Sequence, residues 1–321
     1  MKRIPRIALT MGDPAGIGPE LAIKASNCHL FKDKAEIVLY GCPDIILEAA
    51  ERFGSGSIPE IKVTGNLNFS SVPIGKEDAA CGIAARDAVV AATQDALAGE
   101  VDAIVTTPMN KASVNLAGIQ FTGHTELIAE LCGCSKFAMM QSAGELRVAF
   151  VTTHIALKDV AQAVTIERII EVAGLLDKAI RAEGIFLPKL AAAGLNPHAG
   201  EQGYMGTEDE TIVKPALRAL REQGINIDGP FPPDTLFIDG IRSQYDGILS
   251  MYHDQGHIPF KMLAFERGVN STLGLPIIRT SVDHGTAFDI AWQNLADTGS
   301  LYAALKLAIL RAENLHCGTT A

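Results

Sequence analysis

From Tyr252 to Lys261 the chain reads Tyr-His-Asp-Gln-Gly-His-Ile-Pro-Phe-Lys, directly after the apolar run Ile248–Met251. Two imidazoles, a carboxylate, an amide and an ammonium are thereby gathered at the end of a strand-like segment. Such groups cost free energy to bury, so their clustering points to a site rather than to packing. Two further histidines share the placement. His154 closes the run Val148–Thr153, and His198 follows Ala191–Pro197. Strand ends on one side of a parallel sheet converge, so His154, His198 and His253 predict a shared metal site. Imidazole suits zinc or cobalt, and oxygen ligands at the remaining positions would admit magnesium or manganese. A rival pattern is His253-x-x-x-His257, which imitates the zinc-protease helix. Gly256 and Pro259 argue against a regular helix there, and the intervening acid is aspartate rather than glutamate.

A second group of residues suits an anion. Thr106-Thr107-Pro108-Met109-Asn110-Lys111 and Gly123-His124-Thr125-Glu126 each stand before a helical pattern, where free amides and the helix dipole favour negative charge. N-capping would explain Thr125 but does not need His124, so substrate contact is the preferred reading. Lys261, Asn270 and Arg279 occupy polar openings among apolar residues and together would bind a phosphate. Gly12-Asp13-Pro14-Ala15-Gly16-Ile17-Gly18-Pro19-Glu20 lies between the first strand and the first helix but matches neither the dinucleotide nor the Walker spacing. It is either a tight turn or a loop lining the cleft. Asp283–Ala291 is likewise a nucleotide contact or a turn.

The elements that must hold these residues alternate between strand and helix. Strands are predicted at 7–10, 36–40 and 101–106, with helices from Pro19, from Pro43 and over Glu77–Ala98. Ala143-Gly144-Glu145 joins 137–141 and 146–152 as a hairpin, and helices follow at 166–182, 209–222 and 301–313. This is an α/β pattern with a largely parallel sheet. The 321 residues allow two domains, and a 48% hydrophobic, 20% charged composition is that of a globular enzyme. A net charge of −10 offers no general attraction to nucleic acid or anionic lipid. The short apolar run after Arg6 is neither a signal nor a membrane span, and six scattered cysteines fit reduced thiols, so a cytoplasmic protein is expected.

Taken in order, Met11–Glu20, Thr122–Glu126, Asn196–Glu201, Tyr252–Gly256 and Arg279–Ala287 resemble the 4-hydroxythreonine-4-phosphate dehydrogenase family over essentially the whole chain. The resemblance implies a two-domain isocitrate/isopropylmalate dehydrogenase-like α/β fold with the active site in the cleft between domains. Residues 1–125 plus 275–321 would form the cofactor-side domain, and 126–274 the metal, substrate and dimerisation domain. NAD would bind without a Rossmann fingerprint, with Gly274, Asp283, Gly285 and Asp289 on the cofactor side. The family is homodimeric with shared sites: His154 would reach across to His198 and His253 of the other chain. His124, Thr125, Lys261, Asn270 and Arg279 would bind substrate, while Asp254, Asp234 and Lys111 are candidates for the base.

His257 departs from the apolar residue of the pyridoxine-pathway enzymes. The His-Ile-Pro-x-Lys version resembles the 4-phospho-D-threonate and 4-phospho-D-erythronate 3-dehydrogenases, and also terephthalate dihydrodiol dehydrogenase. Gly123-His124-Thr125 and Arg279-Thr280 favour a phosphorylated substrate. The expected reaction is metal-dependent oxidative decarboxylation of a four-carbon phosphorylated acid to dihydroxyacetone phosphate. Oxidation of 4-hydroxythreonine 4-phosphate is the alternative, and a hydrolase or a non-catalytic relative is less favoured.

Overall fold

The structure, a computed structural model, describes residues 3–54 and 56–317. The chain divides into two compact units, one from Met1–Ser135 and Leu275–Cys317, the other from Lys136–Gly274. Residues 126–135, assigned on sequence to the second domain, group with the first unit.

In the first unit, β1 (Arg6–Thr10), β2 (Glu36–Gly41), β3 (Ile61–Val63), β4 (Ala103–Thr106) and β11 (Ile278–Val282) lie in the order β3-β2-β1-β4-β11. Every pairing among them is parallel. The near-continuous apolar, buried runs of β1, β2 and β4 suit a sheet covered on both faces. The helix Ala79–Leu97 packs on β1, β2 and β4, and Gly299–His316 on β4 and β11. Alanine makes the first of these fits possible. Ala88 and Ala92 lie fully buried against Ala8, Val38, Tyr40 and Ile104. That helix begins where Asp78 accepts a hydrogen bond from Cys81 N at 2.9 Å, a standard N-cap.

In the second unit, β5 (Ala138–Ala143), β6 (Leu146–Phe150), β7 (Leu190–Ala193), β8 (Ile227–Phe231), β9 (Gly247–Ser250) and β10 (Val269–Leu273) are ordered β10-β5-β6-β9-β7-β8. β10, β5 and β6 pair antiparallel, the rest parallel. The expected hairpin closes at Ala143 and Leu146, with Gly144 at φ 59 as a two-residue turn requires. The expected helix Ile166–Ala182 buries Ile169, Val172, Ala173, Leu176 and Ile180, a 3.6-residue stripe. The predicted helix 209–222 forms as a π-helical turn, Asp209–Val213, running into an α-helix, Lys214–Glu222.

One local expectation is overturned. His253–Ala264 is helical despite Gly256 and Pro259. A Cβ at Gly256 would lie 2.6 Å from Ser250 Oγ, 2.7 Å from Phe150 Cε1 and 2.8 Å from Val148 Cγ1. The glycine is there because the helix backbone rides directly on β6 and β9, not to break the helix. Tertiary contacts offset the weak propensity. Phe260 is fully buried, and the Gln255 side chain accepts from Met251 N and donates to Gly194 O, both at 2.7 Å. Among the described residues no helix is long and apolar enough to cross a membrane.

Candidate active site

The first unit brings together the end of β4, Arg279 near the start of β11 and two helix starts. Asn110 caps the helix Lys111–Leu116 by accepting from Ser113 N at 2.8 Å, leaving Lys111 exposed at its first turn. The helix His124–Leu131 begins differently. Its N-cap is Gly123, which has no side chain to cap with, and the Glu126 carboxylate folds back toward it. His124 and Thr125 are therefore the first two helical residues, and His124 does not cap.

Arg279 on β11 is 3% exposed and donates to Thr106 Oγ1 at 3.0 Å. Burial pulls its guanidinium down to about 10, with Glu126 acting in the opposite direction. Burial, then Arg279 and Lys111, push His124 down to about 3. The ring is therefore neutral, and its shielded Nε2 has no hydrogen-bond partner. A neutral imidazole and a buried guanidinium thus stand together at the start of this helix.

Of the residues expected beside a cofactor, Asp283, Gly285 and Asp289 follow β11 in the first unit, where Asp283 N donates to Ser300 Oγ at 3.1 Å. Gly274 ends the second unit. It has φ +90, and a Cβ there would sit 2.4 Å from Lys136 O, so its glycine has a backbone cause.

In the second unit, His154 lies just beyond β6, exposed, with its ring centroid 5.5 Å from that of His253. His154, which the resemblance assigns to a site shared with the other chain, thus lies near His253 of its own chain, and a third imidazole stands beside them. His257 stacks on His253 at 4.0 Å with 23° between planes, and lies 4.3 Å from Phe150. One helical turn separates His253 from His257, so the helix itself creates the stack. Burial, with His253 next in weight, pushes His257 down to about 4. Asp254 Oδ1 is 2.7 Å from His253 Nδ1. That bond leaves Nε2 of His253 with its lone pair, the arrangement by which carboxylates orient metal-binding imidazoles.

His198 is exposed and shares no ring contact with these. Among the described residues no group of three or more His, Cys, Asp or Glu is placed to hold a metal. The three-histidine set expected from sequence is thus not assembled within one chain. His198 sits in a left-handed run, with φ from 43 to 79 over His198–Gln202. Such a run costs about 1–2 kcal/mol per non-glycine residue. Buried Asp209 anchors its entry by accepting from Leu195 N at 2.7 Å and from Asn196 N and Nδ2 at 3.0 Å. Asn270, on β10 opposite Gln141, keeps a buried Oδ1 without a partner, suited to a ligand donor. Lys261 and Asp234 are exposed on their helices.

The family model for the pyridoxal phosphate biosynthetic protein PdxA matches residues 22–308. The chain belongs to the PdxA family. It is 42% identical over 324 residues to D-threonate 4-phosphate dehydrogenase of Salmonella typhimurium, covering 94% of this chain and 98% of that one. It is 44% identical over 313 residues to 4-hydroxythreonine-4-phosphate dehydrogenase of Aquifex aeolicus, covering 94% and 97%. A crystal structure of 4-hydroxythreonine-4-phosphate dehydrogenase from Klebsiella pneumoniae superposes with a TM-score of 0.83 at 40% identity, over 97% of this chain and 98% of that one. A more distant fold match, TM-score 0.52 at 16% identity over 96% and 84%, is a beta-decarboxylating dehydrogenase from Thermococcus kodakarensis. Membership makes the chain an enzyme of the oxidoreductase class. For a PdxA-family chain, reading the residues one at a time left out the His257 stack, Asp209, and Glu126 as the counter-charge to Arg279. The i,i+4 spacing of the histidines was the available signal for the first.

Proposed function

We propose that this PdxA-family enzyme is a NAD-dependent, divalent-metal-dependent dehydrogenase that oxidises C3 of 4-phospho-D-threonate or 4-phospho-D-erythronate. The hydroxyl loses its proton, the C3 hydrogen leaves as hydride to NAD, and the resulting β-keto acid loses CO2. Protonation at C2 then gives dihydroxyacetone phosphate. The observation that carries the reading is buried Arg279 beside neutral His124 at the start of a helix, which suits a phosphate. The name borne by the Salmonella relative supports it.

Arg279, His124 and Thr125 would hold the phosphate, with Lys261 and the Asn270 side chain adding polar contacts. His198 and His253 would ligate a divalent ion, joined by His154 of a second copy in a homodimer. The ion, when bound, would lower the pKa of the C3 hydroxyl and stabilise negative charge as CO2 departs. Asp254 serves this set by fixing the His253 tautomer, which leaves Asp234 and Lys111 as candidates to take the hydroxyl proton. Asp283, Gly285, Asp289 and Gly274 are assigned to the cofactor side.

A second reading, oxidation of 4-hydroxythreonine 4-phosphate, is favoured by the 44% identity to the Aquifex enzyme. NADH formation measured with the two phosphorylated acids and the amino acid side by side separates the two. Turnover of 4-phospho-D-threonate or 4-phospho-D-erythronate at the higher kcat/KM is expected. Exclusive use of the amino acid would hand the assignment to the second reading, and no NADH from any of the three would end both.

A further inference from the structure

The stretch Gly12–Glu20, which runs into the helix Gly18–Ser26, occupies the place of a nucleotide loop, yet several of its hydrogen bonds go to residues 286–296 of its own unit. Ile17 N donates to Thr286 O at 3.0 Å, and Trp292 Nε1 donates to Pro14 O at 2.8 Å. Glu20, fully buried, accepts from Asn294 N at 3.2 Å and from Ala296 N at 3.0 Å, and pairs with Lys24 at 2.6 Å. A Cβ on Gly16 would lie 2.8 Å from Thr286 O, so the glycine permits the close approach. The chain's one tryptophan, Trp292, sits with its ring 4.6 Å from Phe69 and 5.7 Å from Phe53.

The segment held this way is strained. Ala287, Trp292 and Asn294 have φ 42, 61 and 63, left-handed values that disfavour side chains. Each is a costly backbone conformation that persists only where the surroundings over-determine it. Here the over-determination is visible: backbone bonds at Thr286, Asn294 and Ala296, and an aromatic anchor at Trp292. The strain lies in and beside the stretch carrying Gly285 and Asp289, while a turn alone would need no buried carboxylate bridging two amides.

We propose that Glu20 and Trp292 are positioning residues for cofactor binding, and that Gly12–Glu20 is the seat that holds 286–296 in the shape presenting Asp283, Gly285 and Asp289 to a pyridine dinucleotide. This rests on the cofactor reading of those three residues.

The test is calorimetric binding of NADH and, separately, of 4-phospho-D-threonate to the full-length wild type, Trp292→Phe and Glu20→Gln. Trp292→Phe keeps an aromatic ring and removes the bond to Pro14, so NADH should bind about fivefold more weakly, the value of one hydrogen bond near 1 kcal/mol. Phosphothreonate affinity should stay within about twofold. A folded Trp292→Phe with wild-type NADH affinity, or with equal losses for both ligands, overturns the proposal. Should that variant not fold, Glu20→Gln decides by the same criteria. Hydrogen exchange on the wild type gives a check without substitution: NADH should slow exchange at Ile17, Asn294 and Ala296, and unchanged rates would also overturn it. A wild type that binds no NADH removes the cofactor reading itself, and the proposal with it.

Discussion

Substituting Gly256 with alanine sets two effects of opposite sign against each other. In a free helix the change stabilises by about 1 kcal/mol, because glycine loses more backbone entropy. In this helix the added methyl would meet Ser250 Oγ, Phe150 Cε1 and Val148 Cγ1 at 2.6, 2.7 and 2.8 Å. All three side chains are fully buried in the strands beneath, so none is free to swing aside. Overpacking of a close-packed interior costs about 1–3 kcal/mol, and three simultaneous overlaps place this site at the upper end. The net expectation is a loss of about 2 kcal/mol, roughly a 30-fold fall in the folded-to-unfolded ratio. Relief would lift the helix and carry His253 and His257 with it, so turnover should fall as well. Urea unfolding followed by far-UV circular dichroism measures the first effect, and the slope should not change. A midpoint equal to or above that of wild type would refute the close seating of this helix on β6 and β9.

Arg279→Ala should raise KM for the phosphorylated substrate by about 10- to 100-fold, the value of a lost charge-assisted pair, with a smaller effect on kcat; an unchanged KM would remove Arg279 from the phosphate site. His124 has a folded pKa of about 3, below its unfolded value, so its contribution is fully present at neutral pH and is lost as pH falls from about 6.5 toward 3. Stability should therefore drop more steeply between pH 7 and 5 in wild type than in His124→Asn, by about 1.4 kcal/mol per pH unit at most, and parallel urea midpoints in the two proteins would contradict the neutral ring. For the metal, His198→Ala and His253→Ala should lose both divalent-ion binding by calorimetry and ion-dependent turnover, and full activity of either after chelation would sink the ligand assignment. Mixing inactive His154→Ala and His253→Ala chains should restore activity in mixed dimers, whereas no recovery would argue against a site completed by a second copy.

Much of this was legible in sequence because the relevant signals are local. Apolar runs such as Ile7–Thr10 and Ala103–Thr106 and the stripe on Ile166–Ala182 report burial through periodicity alone. The turn at Gly144 is fixed by its own two residues. What escaped depends on partners far along the chain. Gly256 looked like a helix breaker until Val148, Phe150 and Ser250 were known to lie beneath it. Glu20 was read only as the end of a turn or cleft loop, and only the return of Asn294 and Ala296 explains its burial. His198 was read as a strand-end histidine, and nothing in Asn196–Gln202 announces a left-handed run held by an aspartate at 209.

The helical state of 253–264 revives the geometry of a zinc hydrolase, so that reading has to be excluded on other grounds than helix breaking. Such a helix works when two imidazoles reach one ion and a carboxylate nearby is free to take a proton from water. Here the His253 and His257 rings lie nearly parallel at 4.0 Å, so they meet face to face instead of converging at their nitrogens. His257 is 7% exposed against Phe150, and its Nδ1 is shielded without a partner. Asp254, the one acid between them, is engaged with His253 Nδ1. The constellation therefore offers one outward imidazole with an orienting carboxylate on one side and an aromatic wall on the other. A residue other than histidine at 257 would change what the His253 ring rests on without touching its carboxylate. A buried position one turn away would in this way tune His253 in its proposed role as a ligand.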